Sequence, residues 1–61
     1  MVTRPPADVP GIAAYLGTSE RHIRAMVFER RIPHFRVGKL LRFDLDSVDE
    51  WVESNTVRPP A

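Results

Sequence analysis

Between residues 8 and 54 the apolar side chains recur at helical spacing twice, then alternate, then return to helical spacing. Val9, Ile12, Ala13 and Leu16 stand at i, i+3, i+4 and i+7, which predicts a first helix with one buried face. Asp8 is placed to cap it, Pro10 is tolerated in its first turn, and Gly17 stops it. Thr18 and Ser19 follow at once, and either hydroxyl can cap a second helix whose apolar positions are Ile23, Met26 and Val27. Ile32-Pro33 is its expected end, because proline disfavours helical geometry in the residue before it and has no N–H to donate.

The alternating stretch, His34-Phe35-Arg36-Val37 and Leu41-Arg42-Phe43, predicts a half-buried β-hairpin. A two-residue Gly38-Lys39 loop would pair Phe35 with Arg42 and turn an arginine toward the buried face. A three-residue Gly38-Lys39-Leu40 loop pairs Val37 with Leu41, Phe35 with Phe43 and Arg36 with Arg42, keeping all four apolar residues on one face. The second register is therefore expected, with Leu40 exposed at the tip beside Lys39. A third helix is signalled by Asp44 as its cap, acid in the first turn, and Leu45, Val48, Trp51 and Val52 along one face; it fades at Ser54-Asn55. Trp51 has the largest side chain, so it is the expected core anchor, packed against Phe35 and Phe43.

The resulting order, helix-helix-β-hairpin-helix, is an α+β architecture with room for one small core in 61 residues. Two Pro-rich ends, Arg4-Pro5-Pro6 and Arg58-Pro59-Pro60, lack apolar periodicity. A disordered tail over 1–7, a domain over 8–54 and a flexible tail over 55–61 are expected. There is no cysteine, hence no disulfide framework and no thiolate metal site. No apolar run approaches a membrane span and no secretion signal opens the chain, so a cytoplasmic protein without membrane partners is expected.

The net charge of +1 conceals a division along the chain. Through residue 43 eight cations face three anions, a balance of +5, and from 44 to 61 one cation faces five anions, a balance of −4. Such a polar field suits a protein that turns one side toward a polyanion. A mixed solvated surface is the plainer reading of the same residues.

A short helix, a glycine turn and a second helix form the helix-turn-helix signature, and in that motif the second helix enters a groove of DNA. The chain resembles, over Val9 to Val52, the excisionase-like members of the MerR-type winged helix-turn-helix superfamily. The resemblance is carried by Ala13-Ala14-Tyr15-Leu16-Gly17-Thr18-Ser19, Ile23 with Met26-Val27, Ile32-Pro33, Arg36-Val37-Gly38-Lys39, Arg42-Phe43, and Val48 with Trp51-Val52. Two features depart from it: Arg30-Arg31 stands where a glycine usually precedes the Ile-Pro pair, and Phe28 stands where most relatives carry a polar or basic residue.

On this fold Ser19, Glu20, Arg21, His22 and Arg24 form the recognition helix's outer surface. Arginine can grip guanine O6 and N7 bidentately, and glutamate can accept from cytosine N4. Arg36, Lys39, Leu40 and Arg42 form the wing, directed at the minor groove. Thr18, Arg30 and Arg31 are candidate phosphate contacts. Each of these groups would otherwise be ordinary solvated surface, and the basic hairpin would then serve to blunt a sheet edge. Ser19 and His22 have a Ser-x-x-His spacing but no third orienting group, and no ligand set or phosphate loop exists, so neither catalysis nor a cofactor is expected.

The resemblance implies an architectural protein that binds duplex DNA in a bacterial cell and directs an integrase toward excision. Its candidate partners are that integrase and neighbouring copies on the DNA. A small transcriptional regulator with the same docking is the rival reading. A protein-interaction adaptor using Phe28 and the C-terminal tail is a third.

Overall fold

A computed structural model describes residues 4–57 and 59. Its elements are α1 (Val9–Leu16), α2 (Glu20–Phe28), β1 (Phe35–Val37), β2 (Leu40–Arg42) and α3 (Leu45–Ser54), the expected order. The Asp8 carboxylate accepts from the Gly11 N–H at 2.8 Å and opens α1. Gly17, at φ 70°, closes it, with the N–H groups of Gly17 and Thr18 donating to the carbonyls of Ala14 and Ala13. These two bonds are the Schellman arrangement, which needs a left-handed residue and is met here by a residue without Cβ.

The same motif closes α2 with the wrong residue. Arg30 and Arg31 donate to Val27 and Met26 at 3.0 and 2.8 Å, and Arg30 sits at φ 57°. The second helix therefore stops at Phe28, four residues before the Ile32-Pro33 boundary that the sequence predicts. An L-residue in this conformation carries a strain of about 1–2 kcal/mol. Arg30→Gly should raise stability by about 0.5–1 kcal/mol, because relief of that strain outweighs the extra freedom glycine gives the unfolded chain. Urea unfolding of Arg30→Gly beside Arg31→Gly tests this: equal shifts in the two variants would assign the effect to charge removal.

Ser19, not Thr18, caps α2, its hydroxyl accepting the His22 N–H at 3.1 Å. Asp44 caps α3 through Ser47, whose N–H and hydroxyl both donate to the carboxylate. Among the described residues the core is wholly apolar: Val9, Ile12 and Ala13 of α1, Ile23, Met26 and Val27 of α2, Ile32, Phe43 and Val48. Phe43 is the largest fully buried side chain. Trp51 is only half-buried at the edge of this cluster and Phe35 is 40% exposed, so Phe43 occupies the anchoring place that the sequence suggests for Trp51. Val52, on the predicted buried face of α3, is exposed.

The hairpin register is the one the sequence argument rejects. Phe35 pairs with Arg42, Arg36 with Leu41 and Val37 with Leu40, across a two-residue Gly38-Lys39 turn. Gly38 takes φ 61° while Lys39 does not enter positive φ, the sign pattern of a type II′ turn, whose twist matches that of the two strands. Turn geometry wins because the hairpin's most apolar face lies open to solvent, so burial does not set the register. Phe35, Val37, Leu40 and Arg42 share one face, and the first three are exposed; Arg36 and Leu41 share the other, where Leu41 packs against the core.

Phe43 takes its backbone partner from outside the hairpin. Ala7 and Phe43 exchange two N–H···O bonds of 2.9 Å, an isolated antiparallel bridge. Further back, the Arg4 guanidinium donates to Asp46 at 2.7 Å and to Asp49 at 2.6 Å, and the Tyr15 hydroxyl donates to Asp49 at 2.6 Å. Residues 4–7, expected in a disordered tail, thus tie α1 and α3 together; residues 1–3 of that tail lie outside the described residues. Tyr15 first, and Arg4 second, hold the Asp49 carboxyl below the usual carboxylate range. A depressed folded-state value contributes stability above the unfolded value of about 3.9 and loses it as pH falls through the folded value. Acid should therefore lower the urea midpoint of the native sequence more steeply than that of Tyr15→Phe below about pH 4. Parallel profiles would show that the hydroxyl does not hold the carboxylate. The cluster is exposed, so the effect is small.

Candidate nucleic-acid interface

The buried side of α2 is set by Ile23, Met26 and Val27. At 100° per residue the opposite side is Arg21, Arg24, Ala25 and Phe28, at i, i+3, i+4 and i+7, and all four are exposed. Glu20 and His22 flank this stripe. Glu20 lies within 3.9 Å of Arg24, one turn away, a loose exposed pair that leaves the guanidinium able to exchange partners. Ser19 spends its hydroxyl on the cap. The four charged or polar groups expected on the outer surface of α2 are thus together at its solvent side, and Ser19 holds its first turn.

The hairpin stands beside this helix. Between them runs a groove of about 470 Å³, bounded by Arg24, Val27 and Phe28 of α2, by the Asp8-Val9-Pro10 start of α1, and by Arg36 and the Lys39-Leu40-Leu41-Arg42 segment. Four cations line it. Among the described residues Asp8 is its single acid, and that carboxylate is occupied by the α1 cap. The observed register puts Arg36 and Arg42 on opposite faces of the ribbon rather than together on an outer face, yet both reach the groove. Leu40 is the first residue of β2, paired with Val37, and the tip itself is Gly38-Lys39. Arg42 also donates to the Leu41 carbonyl at 2.8 Å, which shortens its reach.

The remaining candidates are more scattered. Thr18 is half-buried, and its N–H serves the end of α1. Arg31 pairs with Glu29 at 3.2 Å. Arg30 lies in a second depression with Val27, Phe28, His34 and Arg36, of which Val27, Phe28 and Arg36 also border the first. His34 Nδ1 stands 2.7 Å from the Ile32 carbonyl, a contact that occupies that nitrogen.

Two features escape the periodicity argument. Arg4, counted with the basic part of the chain, is bound to the acidic α3 and takes no part in the basic groove. Phe28 falls on the outer stripe of α2 in phase with Arg21 and Arg24, a relation that the i, i+3, i+7 spacing already carries in a helix expected to run on to Ile32-Pro33.

Among the described residues no helix is long and apolar enough to cross a membrane. No significant match to the chain was found among curated proteins or among solved structures. The family model for a helix-turn-helix domain matches residues 8–56, most of the chain. The α1-turn-α2 geometry, the flanking hairpin and this match agree: the chain belongs to the helix-turn-helix domain family and is a small DNA-binding protein of winged form.

Proposed function

We propose that the chain is an excisionase-like architectural protein that recognises a specific duplex sequence with two elements at once. The outer stripe of α2 enters the major groove, and the hairpin lies in the adjacent minor groove. The sugar-phosphate strand separating the two grooves then passes between helix and wing, along Arg24, Arg36, Lys39 and Arg42. The observation that carries this reading is that groove: four cations, one engaged acid, and a helix and a ribbon as its walls. Its cations match a phosphate track, and its walls match the two grooves beside that track. The excisionase role rests on the resemblance of the sequence, and the same docking serves a transcriptional regulator.

Two experiments test the proposal in order. A gel-shift titration against salt should give a slope of about −0.9 per phosphate neutralised, hence close to −4 for the groove cations together. Absent or salt-insensitive binding removes the docking and favours an adaptor. Addition of the protein to an in vitro recombination reaction with the cognate integrase should then stimulate excision. Specific binding without stimulation would leave a regulator.

A further inference from the structure

We propose that Phe28 is a specificity-determining contact that reads the 5-methyl group of thymine in the major groove. This inference deepens the docking just described and rests on it. Phe28 is 89% exposed, although it closes a helix whose other apolar side chains of comparable size are buried. An aromatic ring left in water at this position has no role in the core. Its phase is that of the recognition stripe: seven residues after Arg21 and four after Arg24. At 1.5 Å per residue it lies about 10 Å along the helix from Arg21, a distance of about three base-pair steps.

The surroundings decide the occupant. Phe28 borders both the groove of Arg24, Arg36, Lys39 and Arg42 and the depression holding Arg30 and His34. A second copy of the chain seated on this ring would bring the same cations against themselves, a like-charge juxtaposition that opposes association. An apolar protein segment would leave those cations desolvated and unpaired. Duplex DNA supplies both complements at once: phosphates for the guanidinium and ammonium groups, and the thymine methyl for the ring. That methyl is the one apolar group the base edges present in the major groove, and phenylalanine is among the residues that contact it.

The test uses the intact chain. Binding-site selection from a random duplex pool gives a preferred site, and anisotropy titrations at fixed salt compare it with versions in which each thymine is replaced singly by deoxyuridine. For the native protein, loss of one methyl should weaken binding about fourfold at a single position. Phe28→Ala should bind the thymine site more weakly than the native protein and should not distinguish thymine from deoxyuridine there. Phe28→Leu, which keeps an apolar group, should retain part of the discrimination. Because Phe28 is outside the core, circular dichroism of both variants should match the native protein.

Duplex binding with no sensitivity to deoxyuridine at any position overturns this inference alone. So does a Phe28→Ala variant that keeps the discrimination, or tighter binding to single strands, where the ring would stack on bases instead. A Phe28→Ala variant that binds DNA normally but loses a concentration-dependent dimer in sedimentation also overturns it. No specific duplex binding by the native protein removes the docking and this contact together.

Discussion

Phe43→Ala is expected to leave the domain unfolded at physiological temperature, where Trp51→Ala leaves it folded. Truncation of a buried phenylalanine costs about 3–5 kcal/mol, the lost transfer of the ring plus the cavity left behind. A core in a chain of this size supplies no more than about 3–5 kcal/mol of net stability. Phe43 is fully buried in one cluster with the equally buried Ile12, Ile23 and Val48, and is held by Ala7 on its backbone, so the site has little room to collapse. Trp51 lies at the margin of the same cluster with part of its surface already in water, and its truncation removes less burial despite the larger ring. Urea titrations followed by far-ultraviolet circular dichroism separate the two variants. A cooperative transition in Phe43→Ala, shifted no further than that of Trp51→Ala, would refute the assignment of the anchor.

That contrast shows which kind of signal the sequence holds. All three helix starts are legible because each is set by a local device, Asp8, Ser19 or Asp44 bonded to the N–H three residues on. The buried faces of α1 and α2 are legible for the same reason, since a period of 3.6 is a property of neighbouring residues. The anchor is not, because side-chain size says how much surface a residue can bury and not where the chain carries it. The register fails where two rules compete. Keeping Phe35, Val37, Leu41 and Phe43 on one face requires a three-residue loop, while the glycine at the first central position favours a two-residue turn. The apolar rule decides only when something covers that face, and Phe35 and Val37 lie open.

The N-terminal strap is illegible for a related reason. Arg4 meets Asp46 and Asp49 across more than forty residues, and nothing in its local sequence announces a partner so distant. Its capture has a consequence for the charge division. One of the eight cations of the basic part is spent on the acidic helix, so the acid of α3 is partly neutralised and the remaining positive charge gathers around α2 and the hairpin. The end of α2 shows the opposite case, since Arg30-Arg31 in place of the usual glycine is visible in the sequence itself, and φ 57° at Arg30 is its structural counterpart.

Replacing Arg36, Lys39 and Arg42 together by glutamine is expected to weaken binding to every duplex, specific or random, by about 500-fold at 0.1 M salt. Each cation that neutralises a phosphate releases about 0.9 of a counterion, so the salt slope should become shallower by about 2.7, and the affinity falls with it. All three side chains border the groove beside α2, and only Arg42 has another hydrogen bond to lose, to the Leu41 carbonyl, so the fold should persist in circular dichroism. Arg21→Ala should behave differently. On the outer stripe of α2, away from the wing, its expected cost is about 1–3 kcal/mol at the selected site, with random duplex hardly affected, because a bidentate base contact carries sequence information and a phosphate contact does not. The ratio of specific to random affinity therefore falls for Arg21→Ala and stays level for the wing variant. Equal losses on both kinds of DNA for Arg21→Ala would remove it from base reading, and an unchanged salt slope for the wing variant would place the phosphate track elsewhere on the protein.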